Sequence, residues 1–472
     1  MSEFLKACSF ALFLYYTATN VIYFALLCEA ILVAIRHRRL VDTVGHERLR
    51  HSSSTPPISI LVPAHNEEKT IVEAVGSLLR LNYPEIEVIV VNDGSTDHTL
   101  AKLQTHFDLA ETDFVHVSEI PTSPVRAVYM SVKDRRLLVI DKESCGRKAD
   151  AMNAALNAAS APFVCAVDAD AILEKDALLR IMAPALTDTG GIVATGGIIR
   201  ALNGSVIEDG EIKSVRLPRG TLEALQVLEY LRSFLIGRQG WAGWNMLLII
   251  SGAFGVFRRD LCQRMGGFRT SAIGEDFDLI VRMHRYLRDR KQKYRICFVP
   301  DPVCWTEVPS TLKSLSSQRA RWQNGLAEVL WLNRGMLLNP RYGRIGLIAI
   351  PYQWLFELLA PVIEVSGWAL MLIAAVSGLL SNAFFVSFFV LGYLMGVFIS
   401  IASVLMEEMA YHRYNAWRDL IRLVALCFLE YFPYRPMNTL WRLKGLWFSV
   451  TGQNAWQPME RVGFQPAPPS GD

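Results

Sequence analysis

Hydrophobic and polar positions divide this chain into three stretches of different character. Residues 9–35, "SFALFLYYTATNVIYFALLCEAILVAI", form a predominantly apolar run with one acidic residue, Glu29. A helix that crosses a bilayer needs about 20 apolar residues, so this run predicts a spanning helix with length to spare for tilt. It is too long for a signal peptide, and neither a basic start nor a small-residue cleavage site frames it. "RHRR" follows at 36–39 and assigns that end to the cytoplasm by the positive-inside rule. Glu29 lies within two turns of the basic cluster, so it can snorkel or serve a function. From about 57 to 335 short apolar runs alternate with amphipathic segments that carry most of the charge. From about 345 the chain turns hydrophobic again, with strong spans at 358–380 and 383–405. At 420–449 apolar stretches flank "PYRP", whose two prolines break any single helix and predict a spanning or re-entrant hairpin. If both strong spans cross, "HRYNAWRD" and "WRLKG" return to the side of the first basic cluster.

These patterns set a domain plan. A transmembrane helix occupies 1–39, a linker 40–56 and a folded cytoplasmic domain 57–335. Interfacial and transmembrane helices fill 336–450, and a cytoplasmic tail 451–472 ends in "QPAPPSGD", expected to be disordered. The plan is that of a multi-pass protein of the cell inner (plasma) membrane.

Within the folded domain, "ISILVPAHNEEKTIVEAVGSLLRL" opens with an apolar strand at 58–62, followed by Pro63 and a polar turn. Apolar residues at 71, 75, 78 and 79 then mark one face of a helix. "EVIVVNDGSTDHTL" reads as a buried strand ending at Asn92-Asp93-Gly94, with another helix from about Ser95–Asp97. Such β-α-β-α alternation predicts an α/β domain whose parallel sheet binds ligands beyond the carboxyl ends of its strands. Glu67 and Asp93 would then face one crevice. Asp93-Gly94-Ser95 alone reads equally as a turn and helix cap.

Composition alters this picture little. The chain has 51% hydrophobic residues, 11 Trp and a formal charge of +3, which argues against a nucleic-acid surface. Its eight cysteines form neither a CxxC pair nor a zinc spacing and read as reduced, buried thiols.

Candidate chemistry comes from four further segments. In "GRKADAMNAALNAA", 146–159, Lys148 opposes the helix dipole unless an anion sits nearby, so it is a phosphate contact or a surface lysine. "PFVCAVDADAIL" is a strand ending at Asp168-Ala169-Asp170; two carboxylates at i and i+2 share a face on an extended strand and call for a cation. Oxygen ligation with few protein ligands suits Mg²⁺ or Mn²⁺ held jointly with a diphosphate. "IISGAFGVFRRDLCQRMGGF", 249–268, is glycine-punctuated, for close backbone approach to a ligand or for tight packing. In "AIGEDFDLIVRMHRY", Glu275 and Asp276 open an amphipathic helix, either as ordinary caps or with Asp276 as a general base.

The order "VPAHNEE", "VVNDGSTD", "GRKADAMNAAL", "VDADAIL", "SGAFGVFRR", "GEDFDL" and "QRARW" resembles the membrane-embedded, processive family-2 glycosyltransferases. These include bacterial cellulose synthases, hyaluronan and chitin synthases and poly-N-acetylglucosamine synthases. The likeness covers roughly residues 57–330 and continues into the membrane arrangement, with "WRLKGL" and "MERVGF" near the end. It implies an α/β GT-A fold, mostly parallel with helices on both faces, joined to an α-helical transmembrane region. It also implies a nucleoside diphosphate sugar, usually UDP-linked, bound by Pro63, Glu67, Asp93, Lys148 and Asp168. Asp168 and Asp170 match the DxD that engages diphosphate and Mg²⁺ or Mn²⁺. Asp276 matches the base of a TED motif, with Gly274 where Thr is common.

Gln318, Arg321 and Trp322 match QxxRW. On a helix starting near Ser310 their i, i+3, i+4 spacing places them on one face. Arg321 can fork two hydrogen bonds to a pyrophosphate, and Trp322 can offer its ring to an acceptor sugar. Anchoring at the headgroups explains Arg and Trp but not Gln318 on the same face. The implied reaction is inverting, gives a β-linked product and feeds it into a channel built from the spans. Those spans are few for a wide pore, so a homodimer or an accessory export subunit is expected to complete one. The implied partners are a UDP-sugar donor, a growing glycan or lipid acceptor and membrane lipids, and no nucleic acid. The alternatives are single addition to a lipid, as in ceramide glucosyltransferases, and a non-catalytic transporter, against which the intact carboxylates argue. Neither donor sugar nor linkage is written in these motifs.

Overall fold

The computed structural model describes residues 2–44, 55–113, 119–187, 191–208, 210–378, 382–414 and 416–452. Most of the expected linker and the tail, with its "MERVGF", lie outside the described residues. The chain divides into two compact units. One holds Ile35–Pro218 and Trp244–Val308; the other holds Met1–Ala34, Arg219–Gly243 and Pro309–Met459.

The first unit is built on a ten-stranded mixed sheet. Its strands in chain order are β1 (Ile58–Ala64), β2 (Ile86–Asp93), β3 (Leu109–Glu111), β4 (Val125–Ser131), β5 (Leu137–Lys142), β6 (Phe163–Val167) and β7 (Ile172–Leu173). β8 (Ile192–Ala201) follows, then a separate hairpin of β9 (Val206–Glu208) and β10 (Glu211–Ser214), then β11 (Phe254–Arg258) and β12 (Arg295–Thr306). The sheet order is β3-β4-β5-β2-β1-β6-β11-β8-β12-β7. Its centre, β5-β2-β1-β6, is parallel. These strands are near-continuous apolar runs because both faces of a parallel sheet are covered, and β5 is buried at every position. β11 runs antiparallel between β6 and β8.

Connections leave β1 toward β2 on one side, while β6 lies on its other side, so the strand order reverses at β1/β6. Ligands of open α/β sheets bind at such a point. The helices that matter to the site are α1 (Ile71–Leu79), α2 (Thr99–Phe107), α3 (Lys148–Ala158) and α4 (Glu275–Asp289). α1 follows the expected apolar face and buries Ile71, Val75 and Leu78. α2 begins at Thr99, later than expected, because Asp97 turns back to accept from the Thr99 backbone N–H at 2.9 Å.

The second unit is helical. Among the described residues, two helices are long and apolar enough to cross a membrane, Lys6–His37 and Phe385–Ala410. Ile345–Leu358 and Ala360–Val376 make a third if that pair, bent by 46°, is one span. Helices Trp417–Leu429 and Arg435–Thr451 are separated at Phe432, which leaves helical geometry just before Pro433, where the proline break is expected. Glu29 packs against the glycine at 243, and Gln239 Nε2 donates to the Ala30 carbonyl at 3.1 Å, so the apolar N-terminal helix meets the "QGWAG" helix at that level.

Candidate active site

At the carboxyl edge of the central strands, the loops after β1 and β2 are tied to each other. The Glu67 backbone N–H donates to Thr99 Oγ1 at 2.8 Å and that of Glu68 to Asp97 Oδ2 at 3.1 Å. Thr70 Oγ1 donates to Glu67 Oε2 at 2.9 Å. Burial acts to raise the Asp97 carboxyl, but the Thr99 hydroxyl and surrounding N–H groups prevail and hold it below its ordinary value. Pro63 is the half-buried penultimate residue of β1.

Asp93 reaches this edge, but its carboxylate is engaged by the protein. Lys142 Nζ lies 2.8 Å from Oδ1, and Ser144 Oγ donates to Oδ2 at 3.1 Å. Lys142 is fully buried and also meets Asp150 Oδ2 at 2.5 Å. Burial opposes the Lys142 charge, yet hydrogen bonds from its ammonium to Asp150 and Asp93 raise it above the ordinary lysine value. This ammonium, at the end of β5, joins the end of β2 to the first turn of α3 and pins the loop from β5 to α3, which leads to Lys148.

Lys148 lies between carboxylates. Its ammonium is 2.5 Å from Asp168 Oδ1 and 3.6 Å from Glu275 Oε1. Burial works against its charge, and Asp168 and then Glu275 overcome it, holding the group above its ordinary value. Burial also pushes the Glu275 carboxyl up; Lys148 pulls it back and Asp276 adds to the rise, for a net increase. Lys148, Glu275 and Asp276 line one small cavity with Gly252, closed behind by Phe257 and Phe268. Asp276 Oδ2 accepts from the Gly252 N–H at 3.1 Å and Oδ1 from the Phe277 N–H at 2.8 Å. The helix N-cap is Gly274, which offers no side-chain cap, and Asp276 in the first turn lines the cavity. A Cβ at position 252 would stand 3.1 Å from Lys148 Nζ, so this glycine serves close approach. At Gly255 a Cβ would meet Ile250 and Phe257, so that glycine serves packing.

Asp168 and Asp170 do not share a face as strand alternation suggests. β6 ends at Val167, and the motif falls in the turn that follows. The Asp168 side chain is 32% exposed beside Lys148, whereas Asp170 is buried and accepts from Thr306 Oγ1 at 3.1 Å.

Gln318, Arg321 and Trp322 belong to the helical unit, on the helix Leu312–Leu332, whose N-cap Thr311 accepts from the Ser314 N–H at 3.2 Å. Arg321 and Trp322 are exposed and Gln318 is half-buried. Sequence reasoning passed over Lys142, Asp150, Glu275 as a cavity residue, and Arg319. Of these only Arg319 carried a local signal, its i, i+3 spacing to Trp322.

Residues 56–325 match the family model described as glycosyltransferase like family 2. The poly-beta-1,6-N-acetyl-D-glucosamine synthase of Staphylococcus epidermidis is 26% identical over 388 residues, 80% of this chain and 79% of that protein. That of Staphylococcus aureus (strain COL) is 28% identical over 277 residues, 58% of this chain and 55% of that one. Among solved structures, a mannosyltransferase from Pyrobaculum calidifontis in complex with GDP-Man and Mn²⁺ is similar with 20% identity, 95% of this chain and 100% of that chain covered, and a TM-score of 0.49. The sheet order, the ordered motifs and a family match over more than half of the residues lead to one assignment: this chain is a glycosyltransferase on a GT-A fold and belongs to the glycosyltransferase-like family 2.

Proposed function

We propose that this enzyme is an inverting, divalent-metal-dependent hexosyltransferase that takes sugar from a UDP-linked donor. It elongates a β-linked polysaccharide at the cytoplasmic face of the inner (plasma) membrane and exports it. The observation that carries this reading is the cavity where Lys148 stands beside Asp168 and Glu275 and where Asp276 is fixed by Gly252. A cation at a strand-end carboxylate, next to a positioned base, suits a donor whose leaving group is a diphosphate. N-acetylglucosamine is the sugar we assign, because the similar staphylococcal proteins are synthases of its polymer.

The donor set bears on the metal. Among the described residues no group of three or more His, Cys, Asp and Glu side chains gathers as a closed metal site. Asp168 nevertheless offers an accessible carboxylate, backed by the buried Asp170. A hard cation that takes most of its ligands from a diphosphate and water needs little more. The residues fit: Asp168 would hold Mg²⁺ or Mn²⁺ with Asp170 in support, and the ion would neutralise charge on the departing diphosphate.

In the reaction, Asp276 accepts the proton of the acceptor hydroxyl. The hydroxyl oxygen bonds to the anomeric carbon from the face opposite the donor, while the bond from that carbon to the diphosphate oxygen breaks and UDP leaves. An α-linked donor thus yields a β-linked product. Lys148 stabilises the leaving diphosphate. Glu67, with Asp93 and Pro63 behind it, borders the nucleoside. Gln318 and Trp322 serve the acceptor, and Arg321 presents forked donors to the diphosphate. Membrane lipids surround the helical unit, and a homodimer or accessory export subunit completes the channel.

The test is turnover of radiolabelled UDP-sugars by the detergent-solubilised chain with Mg²⁺ or Mn²⁺, products resolved by size and Asp276→Asn as blank. A polymer ladder from UDP-N-acetylglucosamine is expected. A single-sugar glycolipid would replace the glycan acceptor by a lipid, and absence of turnover with every donor would overturn the reading.

A further inference from the structure

Arg319 stands between Gln318 and Arg321 in "QRARW", yet its side chain is 3% exposed. Its guanidinium carbon lies 4.3 Å from the centroid of the Trp322 ring. Its Nη2 donates to Glu229 Oε2 at 2.8 Å, and the same oxygen accepts from the Tyr434 hydroxyl at 2.7 Å. Helix Thr221–Leu231, helix Leu312–Leu332 and the residue preceding helix Arg435–Thr451 therefore converge behind one indole. Trp322 itself is 46% exposed.

As a structural element alone this arrangement is poor. A guanidinium has five N–H donors, and here Nε and Nη1 are buried without a hydrogen-bond partner among the described residues. Burying such donors destabilises a fold relative to an apolar side chain of the same size. What the arginine supplies that an apolar residue cannot is a flat cation at a defined angle. Stacked on an indole it is attracted to the ring, more strongly where water is excluded. Because the ion pair to Glu229 fixes the guanidinium, and Tyr434 fixes Glu229, the plane of the Trp322 ring is fixed in turn. A saccharide packs on an indole through one flat face of C–H groups, so tilting the ring reduces that contact.

We infer that Arg319, locked by Glu229 and Tyr434, is a positioning residue that sets the plane of the Trp322 ring for the acceptor saccharide. This rests on the reading of Trp322 as acceptor platform given above. The rival role is a plain clasp between helices, and the substitution Arg319→Lys separates the two: a lysine side chain can keep the charge pair with Glu229 but has no plane to stack.

The experiment measures kcat and separate KM values for UDP-N-acetylglucosamine and for a soluble β-1,6-linked N-acetylglucosamine oligomer, using the full chain in detergent. Arg319→Lys and Glu229→Gln are expected to raise the KM for the oligomer about tenfold with donor KM unchanged. The thermal midpoint stays close to the unaltered protein in Arg319→Lys and falls in Glu229→Gln, which leaves the buried guanidinium without its counter-charge. Tyr434→Phe deletes a single oxygen and is expected to shift the same constant less; it keeps the test open if another variant does not fold. An unchanged oligomer KM in Arg319→Lys, or a fall in its thermal midpoint with both KM values unchanged, would overturn the inference in favour of the clasp. Trp322→Ala isolates the underlying reading. If it raises the oligomer KM while the other variants do not, only the role of Arg319 falls; if it leaves that KM unchanged, both fall.

Discussion

Asp276 keeps both carboxylate oxygens occupied by backbone N–H groups, at 3.1 Å from Gly252 and 2.8 Å from Phe277, so its position is set before any substrate arrives. Asp276→Asn removes the basicity with a near-identical shape. A positioned base contributes about 10²–10⁴ in rate, so kcat is expected to fall by that factor with donor affinity retained, measured by UDP release and by equilibrium UDP binding. A second residue, His284, sets a pH limit on the fold. Its Nε2 faces the Leu247 carbonyl at 2.8 Å, which can only accept, so that nitrogen carries the proton. Nδ1 then accepts from the Tyr294 hydroxyl at 2.6 Å, while Arg288 Nε donates to that hydroxyl at 2.9 Å. Burial, aided by Arg288, depresses the imidazole to about 4. The folded protein binds a proton there less readily than the unfolded chain. Stability is therefore unaffected above about pH 6.5 and falls as pH drops toward 4, by about 3 kcal/mol in all. Thermal midpoints in detergent from pH 7.5 to 4.5 should show this slope, and His284→Gln should flatten it. Residues such as Asp276 and Lys148 were legible in the sequence because each stands at the end of an element inside a short motif. Lys142 was not, because its buried charge is compensated only through Asp93, 49 residues earlier, and Asp150 on the next helix.

Among elements, β1 and β2 occur where apolar runs place them and α1 where apolar spacing places it, while α3 and the helix Leu312–Leu332 occur close to where the sequence was read as helical. β4 and β5 went unread; the DxD follows the sixth strand in the chain, and that strand pairs directly with β1. Its shared face was misread because alternation holds only within a strand, and β6 ends one residue before Asp168. The loop from β5 to α3 depends on Lys142. Lys142→Met leaves Asp93 and Asp150 as buried carboxylates without their cation, a loss of about 3–5 kcal/mol for a broken buried pair. Reduced denaturant midpoint and loss of UDP binding together are expected; a stable variant that still binds UDP would separate this clamp from the site. Helix Leu312–Leu332 depends on a different contact. At Gly445 any Cβ would run into the Ala320 carbonyl and the Gln323 side chain. Nearby, Arg442 Nε donates to Gln323 Oε1 at 2.9 Å and Nη2 to the Glu357 carbonyl at 2.6 Å. Gly445→Val is expected to part these helices, lowering both the thermal midpoint and polymer yield, whereas Leu440→Ser, at an exposed position of the same helix, should do neither.

For the whole molecule the sequence reads most clearly where solvent changes, since about 20 apolar residues in a row are hard to bury anywhere but in a bilayer. The helices Lys6–His37 and Phe385–Ala410 satisfy that length, and in the proposed topology the basic cluster after the first puts the sheet unit in the cytoplasm. The cysteines make this orientation measurable. Cys145 is exposed in the loop that leads to Lys148, whereas Cys165, Cys262, Cys304 and Cys427 are buried. Cys28 is exposed on the N-terminal helix, within the apolar span. A thiol in hydrocarbon is shielded from a charged, membrane-impermeant maleimide, while a thiol in water reacts as thiolate. A variant that retains only Cys145 is therefore expected to label in inside-out vesicles and not in intact cells. A variant that retains only Cys28 is expected to label after detergent alone. Labelling of Cys145 in intact cells would reverse the orientation and overturn the proposed export, because the donor site would then face away from the cytoplasmic UDP-sugar pool. Labelling on the inner side, reduced by saturating UDP, would join the loop, the donor and the cytoplasmic face in one observation.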